Sequence, residues 1–517
     1  MDLKKRFLFC TLSPGRRYQK NKSHLISIDD NNYNMTQGPF FIFLWSGFLI
    51  TMTLCIGCIK TPSPHVDTQK IDTPASYAGA TEKARPFEDG WVNDFQDDNL
   101  ETLILEALES NYDLKAASSR VAAAQASFQS INAGWKPQLN LNQSDSRSKT
   151  VFNPFAGPLQ SRYINRFDLG VSLAWELDLW GRIRSQGRAA LADLQASESD
   201  YMAARLSLAA NVAAAWFNVI ESELQVLLNE ETLNSFESNL KVVEESYQRG
   251  IPNRALDVRL TRANVESNRS NLLVRKRQRD AAVRSMEILL GRYPSAELEI
   301  IPHLPILKGD VPTGMPSELL IRRPDIFSAE RRVAAATQRL KVSRKSLLPS
   351  IRLTSSVGTS SSELTDLLDP ERLALSIAGS LTQPLYQGGR LRANVQLSDA
   401  RLRESIAQFS QAVLRAFQEV ESLLAAEAFL RDQEMALQAT SEESSEAEVL
   451  AKEQYERGLV DIITGLESER RAFNARSSLI NVANLRLQNR LSLYLALGGH
   501  FQGEDPDNPT DQVTLNE

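Results

Sequence analysis

Phe167-Asp-Leu-Gly-Val-Ser-Leu-Ala-Trp-Glu-Leu-Asp178 alternates apolar with small or polar residues at every step. Period two over this length predicts a β-strand with one apolar and one polar face. The alternation returns at Leu373, Leu375, Ile377 and Leu381, and short extended segments precede both strands, at Leu139-Asn-Leu141 and Ile351-Arg-Leu353-Thr-Ser355. Directly after the first strand, Ile183 to Gln248 holds no Pro and one Gly (Gly187); after the second, Leu391 to Glu456 holds neither. Each stretch predicts a helix of about 65 residues, roughly 100 Å long. In the second, Leu402, Ile406, Phe409, Val413, Phe417, Val420 and Leu424 trace a seam for a partner helix. Both rods end at Arg-Gly (Arg249-Gly250, Arg457-Gly458), a C-cap signal, with return helices from about Asn253 to Leu290 and Asp461 to Leu497.

These parallels extend to a duplication. Arg120-Val-Ala-Ala-Ala124 recurs as Arg332-Val-Ala-Ala-Ala336, each followed at the same distance by a Pro (Pro137, Pro349). Trp180-Gly-Arg-Ile-Arg184 matches Gly388-Gly-Arg-Leu-Arg392, and Tyr247-Gln-Arg-Gly250 matches Tyr455-Glu-Arg-Gly458 at one common offset. Ordered matches argue for two structural repeats, residues 91–298 and 317–499, joined by a Pro-rich linker at 299–316. Each repeat reads helix, strand, loop, strand, very long helix, turn, helix, the first helix being Ala-rich Leu100 to Gly134.

Four strands in one chain cannot close a barrel, since about eight are needed to surround an interior, and open edges in lipid would strand backbone polar groups. Apolar-out, polar-in alternation with aromatics is the pattern of a transmembrane barrel strand. The fold expected is therefore mainly α with a transmembrane β part: an oligomer pooling its strands, its long helices continuing the wall as an aqueous tunnel. A soluble coiled-coil protein with two exposed hairpins is the alternative.

The chain has 517 residues, with 58 Lys plus Arg against 64 Asp plus Glu and a net charge of −6, which excludes a dedicated nucleic-acid binder. Apolar residues at 42 % and charged residues at 24 % exclude a wholly disordered chain and a polytopic helical membrane protein. Arg275-Lys-Arg277-Gln-Arg279 lacks interleaved aromatics and reads as a solvated helix face. Arg322-Arg323-Pro324-Asp325 reads as a helix start, and Gly388-Gly389, without the Lys of a phosphate loop, as a strand-to-helix turn. The His residues (His24, His65, His303, His500) are scattered, and Cys10, Cys55 and Cys58 all lie near the N-terminus. No nucleophile–base pair, metal cluster or cofactor fingerprint is present, which predicts a non-enzyme without cofactor.

Phe40 to Ile59 is uncharged and apolar, a membrane-directed segment with basic residues upstream; Met35 offers a start nearer to it than Met1. Leu54-Cys55-Ile56-Gly57-Cys58 resembles a bacterial lipoprotein cleavage box, so that residues 1–58 form an export segment ending at a lipid-bearing Cys58; an uncleaved anchor is the alternative. Residues 59–90, rich in Pro, Thr, Ser and Ala, read as a flexible tether, and residues 500–517 as a disordered acidic tail.

Asn111-Tyr-Asp-Leu114, Trp180-Gly-Arg182, Leu320-Ile-Arg-Arg-Pro-Asp-Ile326 with Ala329-Glu330, and the two Tyr-x-Arg-Gly turns resemble motifs of the outer-membrane factor family of tripartite efflux and secretion systems, in its lipoprotein branch. The resemblance covers about Trp91 to Gly499. It implies a homotrimer with a twelve-stranded β-barrel, four strands per chain, continued by a long α-helical barrel in the periplasm. It also implies a bacterial outer-membrane exit duct for small molecules, anchored by lipid on Cys58, with a periplasmic adaptor and an inner-membrane pump as partners. By the same resemblance Gly250, Ile251, Gly458 and Leu459 form the adaptor-docking tip, and Asp257, Tyr455 and Glu467 the periplasmic gate, where a three-fold axis would crowd carboxylates and raise their pKa values. Arg457 and Asp461 stand close by in sequence. A duct for protein or peptide secretion and a poreless envelope lipoprotein are the alternatives.

Overall fold

A computed structural model describes residue 77 and residues 90–153, 157–249, 254–307 and 316–499. The export segment with Cys58, most of the tether and the acidic tail lie outside the described residues, as do Gly250 and Ile251.

The described chain runs α1 (Asp98–Ser110), α2 (Tyr112–Asn132), β1 (Gln138–Phe152), β2 (Gln160–Leu177), α3 (Arg182–Gln248) and α4 (Arg254–Leu289), then α5 (Pro316–Arg322), α6 (Pro324–Lys345), β3 (Ser350–Ser361), β4 (Leu373–Thr382), α7 (Arg390–Glu456) and α8 (Ile462–Ala496). The second six elements repeat the first six in order, and the two rods, α3 and α7, have 67 residues each. The helix expected from Leu100 to Gly134 is broken at Asn111, whose side chain accepts the Leu114 N–H at 3.0 Å as N-cap of α2. Its amide also donates to the Leu289 carbonyl at 3.0 Å, tying the break to the end of α4.

The strands form one antiparallel sheet in the order β1-β2-β3-β4, which leaves β1 and β4 as edges. Register gathers the alternation into continuous faces. Leu139, Leu173, Ser355 and Ile377 form one row, and Leu141, Val171, Val357 and Leu375 another, on the apolar face. Asn140, Ser172, Ser356 and Ser376, then Asn142, Gly170, Gly358 and Ala374, form rows on the small, polar face. Gly170 and Gly358 stand opposite each other at the centre: a Cβ on Gly358 would lie 2.5 Å from the Leu169 carbonyl oxygen and 2.6 Å from the Gly170 Cα. From Leu177 to Phe167 the part of β2 paired with β3 spans about 34 Å of strand, or about 26 Å of height at a tilt near 40°. β1 continues well past Leu141, through Gln143 to Phe152, paired with the upper half of β2. Its outer residues are largely polar and charged, so hydrophobic alternation cannot report them.

At the sheet's lower edge Gly181 turns strand into rod with φ +72°, and the Trp180 indole donates to the Pro349 carbonyl at 2.7 Å, joining the two repeats. Arg182 pairs with Glu176 at 2.6 Å, which accounts for the Trp-Gly-Arg motif. Pro324 opens α6, and Arg323 before it makes a two-pronged pair with Asp325 and reaches Glu419 and the Ala496 carbonyl at the end of α8. Along α7 the predicted seam is packed: Leu402, Val413, Val420 and Leu424 are buried, with Ile406, Phe409 and Phe417 half-buried against the same clusters. The largest core sits midway along the rods, where Trp91 to Phe95 and α1 cross them. There the Trp216 indole donates to Asp97 at 2.7 Å and the Tyr494 hydroxyl to Asp94 at 2.5 Å. The basic run of α4 is balanced by α3, Lys276 pairing with Glu230 and Arg279 with Glu223, each at 2.7 Å.

Candidate gate and docking end

α7 ends in a Schellman motif. Gly458, at φ +74°, donates to the Tyr455 carbonyl at 2.9 Å, and Leu459 donates to the Gln454 carbonyl at 2.8 Å. A Cβ on Gly458 would meet nothing within 4 Å, so glycine is required by the backbone angle rather than by space. Asp461 then caps α8, accepting the Thr464 N–H at 2.9 Å and its hydroxyl at 2.7 Å; these bonds, the hydroxyl first, hold the Asp461 carboxyl below its ordinary range. With both helix ends satisfied, the short link is fixed and presents Leu459, 71 % exposed, to solvent. A leucine at this position of the motif ordinarily packs back on its helix. The matching turn after Arg249 falls among residues 250–253, outside the described residues.

Beside this turn Val226, Leu233, Phe236 and Val243 of α3, Val265 and Leu272 of α4, and Ile462 and Leu466 of α8 form an apolar cluster, with Tyr455 and Val258 packed on it. The cluster brings the expected gate residues to one end of the rods: Tyr455 belongs to it, Asp257 precedes Val258, and Glu467 follows Leu466. Asp257 lies in the first turn of α4, where a carboxylate complements the helix dipole, and its backbone carbonyl accepts the Thr261 hydroxyl at 2.8 Å. Glu467 is clasped by its own helix, with Arg470 at 2.7 Å and Arg471 at 2.9 Å. Hydrogen bonds from Arg471 and then Arg470 hold its carboxyl below the usual range, opposite to the rise that crowding on a three-fold axis would produce. Arg457 pairs with Glu453 one turn back on its own helix.

Sequence reasoning missed a polar seam between α3 and α8. Asn218 accepts from Asn484 at 2.8 Å and from Gln488 at 2.7 Å, and Gln225 and Ser477 bond each other in both directions. Nearer the tip, the Asn239 amide donates to Glu469 at 3.1 Å. Asn218, Gln225 and Asn239 fall on one heptad phase of α3, and that spacing was the available signal. Glu469 is 5 % exposed, and burial pushes its carboxyl up; burial does the same to Glu448, which Arg476 contacts at 2.6 Å. Between α7 and α8, Arg490, 2 % exposed, pairs with Glu427 at 2.5 Å, and Arg486 reaches Glu434 at 2.6 Å. Among the described residues no group of three or more His, Cys, Asp or Glu is placed to hold a metal ion.

The model of the family described as outer membrane efflux protein matches residues 103–292 and 315–499. The cation efflux system protein CusC of Escherichia coli is 32 % identical over 416 residues, covering 80 % of this chain and 88 % of that protein. The probable outer membrane lipoprotein SilC of Salmonella typhimurium is 28 % identical over 455 residues, covering 87 % and 97 %. Among solved structures, the CmeC outer membrane channel of Campylobacter jejuni superposes with a TM-score of 0.79 at 27 % identity, covering 86 % of this chain and 96 % of that one.

Proposed function

The chain belongs to the outer membrane efflux protein family, and from that premise we propose that three copies form the exit duct of a tripartite efflux system. The observation that carries this reading is the four-stranded sheet with two open edges and one face that is mainly apolar over its lower rows, where Leu139, Leu141, Val171, Leu173, Val357, Leu375 and Ile377 lie together. Pairing β4 of one copy with β1 of the next removes every edge and gives twelve strands, enough to enclose an aqueous lumen. The small, polar face then lines the lumen, and the apolar lower rows of the other face meet lipid. Below, α3, α4, α7 and α8 of three chains continue the wall. Phe429 (74 % exposed) on α7 and Leu273 (65 %) on α4 supply apolar area for the joints between copies.

The duct is passive: energy and substrate choice belong to an inner-membrane pump, reached through a periplasmic adaptor that docks on the tip turns at Gly250, Ile251, Gly458 and Leu459. The exposed Leu459 on a fixed Gly turn suits such a contact, because little conformational freedom is lost on binding. Tyr455, Asp257 and Glu467 form the constriction just above. Lipid on Cys58, with residues 59–90 as tether, holds each chain to the outer membrane. Single-channel conductance in a planar bilayer, with oligomer mass measured on the same preparation, tests the reading. A trimer with small, mostly closed conductance is expected; a monomer without conductance would leave a structural rod and remove the duct.

A further inference from the structure

At the lower rim of the apolar face, where β2 passes into α3, a crevice of about 600 Å³ is walled by Trp135, Trp175, Leu177, Leu179 and Ile351. Its size is that of ordinary ligand sites. Register places Trp175, Leu177 and Ile351 on the apolar face, so the crevice continues the surface assigned to lipid. Its periplasmic lip is also apolar and open, with Leu179 59 % and Trp135 50 % exposed. The Trp175 indole donates to the Trp135 backbone carbonyl at 2.8 Å, which fixes the Trp175 ring against the segment that carries Trp135. Paired tryptophans at this height match the headgroup level of a bilayer.

Two cations lie beside the crevice, whose lining also holds the carboxylates of Asp178 and of Glu176, the latter paired with Arg182 at 2.6 Å. The Lys136 ammonium sits 5.9 Å from the centre of the Trp135 ring, and Arg184, lining the crevice, has its side chain 72 % exposed. The nearest carboxylate to Arg184 is Asp178 at 3.6 Å, but both Asp178 oxygens are engaged, accepting the Ile183 and Arg184 N–H groups at 2.9 Å to cap α3. At 3.6 Å that ion pair is longer than a hydrogen bond, and the exposed guanidinium has donors that can reach a further acceptor as well.

We propose that this crevice holds one glycerophospholipid of the periplasmic leaflet per chain, its acyl chain against Trp175, Leu177 and Leu179 and its anionic headgroup between Lys136 and Arg184. The assignment rests on the apolar face standing in the outer membrane as read above. A bound phosphate gives the two cations acceptors, and the acyl chain removes the exposed Leu179 and Trp135 from water. Phosphatidylglycerol, with a net negative headgroup, is favoured over zwitterionic phosphatidylethanolamine.

The full-length protein in nanodiscs of equal dioleoyl phosphatidylglycerol and dioleoyl phosphatidylethanolamine, examined by native mass spectrometry, tests this. Up to three non-covalent phosphatidylglycerol adducts per trimer are expected. Lys136→Gln or Arg184→Gln should each lower the phosphatidylglycerol preference about fivefold, as for one basic residue near an anionic surface. Equal retention of both lipids by the unmodified protein, an unchanged preference in the double variant, or mass retained only as covalent lipid would overturn the proposal. Conductance of the same preparation separates the two failures: a conducting trimer without selective adducts refutes the crevice alone, whereas a chain that neither inserts nor conducts refutes the membrane reading beneath it.

Discussion

Alanine at Gly358 is expected to force β2 and β3 apart at the middle of the sheet. The added Cβ would stand 2.5 Å from the Leu169 carbonyl oxygen and 2.6 Å from the Gly170 Cα, both backbone atoms of a doubly paired strand that cannot rotate away. Restoring ordinary contact near 3.4 Å requires a local separation of about 0.9 Å. That movement costs one or two ladder hydrogen bonds at about 1 kcal/mol each, beside about 1–3 kcal/mol of overpacking. The sum is about 2–5 kcal/mol per chain, felt three times in a closed barrel. Gly379→Ala is the matched control: its Cβ would meet only the Leu353 Cδ2, at an ordinary 3.5 Å, and should change stability by less than about 0.5 kcal/mol. Heat-shift electrophoresis of the purified trimer reads both. If Gly358→Ala melted together with Gly379→Ala, the close approach of the two strands would be refuted.

If Glu467 and Tyr455 form the proposed gate, removing the carboxylate with Glu467→Gln or the hydroxyl with Tyr455→Phe should make the closed duct leak, raising conductance in planar bilayers; unchanged conductance would remove both residues from that role. Glu469, whose carboxyl is raised by burial, gives stability that is whole at acid pH and is lost as pH rises from the ordinary carboxylate range through the elevated pKa. Glu469→Gln should therefore melt higher than the parent at neutral pH and equally at acid pH, and a pH-independent gain would refute the assignment. Arg490→Met leaves Glu427 buried without that partner and should cost about 3–5 kcal/mol, much of it recovered when Glu427→Gln is added; thermal melts of the single and double variants decide. Gly458→Ala should lower stability by about 1 kcal/mol through the left-handed backbone alone, because the space around it is open.

What could be read in the sequence follows from where solvent lies. The alternation from Phe167 to Asp178 was visible because lipid and lumen make opposite demands on successive residues. The same signal vanished from β1 beyond Leu141, where Gln143, Asp145, Arg147 and Lys149 share the face of the apolar row and leave periodicity nothing to detect. The rods were legible in the absence of Pro and the seam on α7, whereas the break at Asn111 needed the capping role of one side chain. At the tip, the C-cap glycine marked the turn in advance. The partners of Glu467 stand three and four positions ahead, a spacing open to inspection, whereas Arg457 and Asp461, farther off in sequence, bond Glu453 and Thr464 instead. The polar α3–α8 seam is hardest to read, since Asn218 and Gln225 look like surface residues until the second helix is placed against them.

The equal rods have a further consequence for how the chain can change. At 67 residues apiece they set a fixed distance, about 100 Å, between the sheet and the turn at Gly458. Lengthening one alone would tilt the tip, so any insertion must be made in both rods and both return helices. Insertion in sevens, about 10.5 Å at a time, keeps the inserted segment in phase with the seam at which Asn218 and Gln225 face Asn484 and Ser477. The width of cell envelope such a chain can bridge is therefore graduated in whole heptads rather than continuously adjustable.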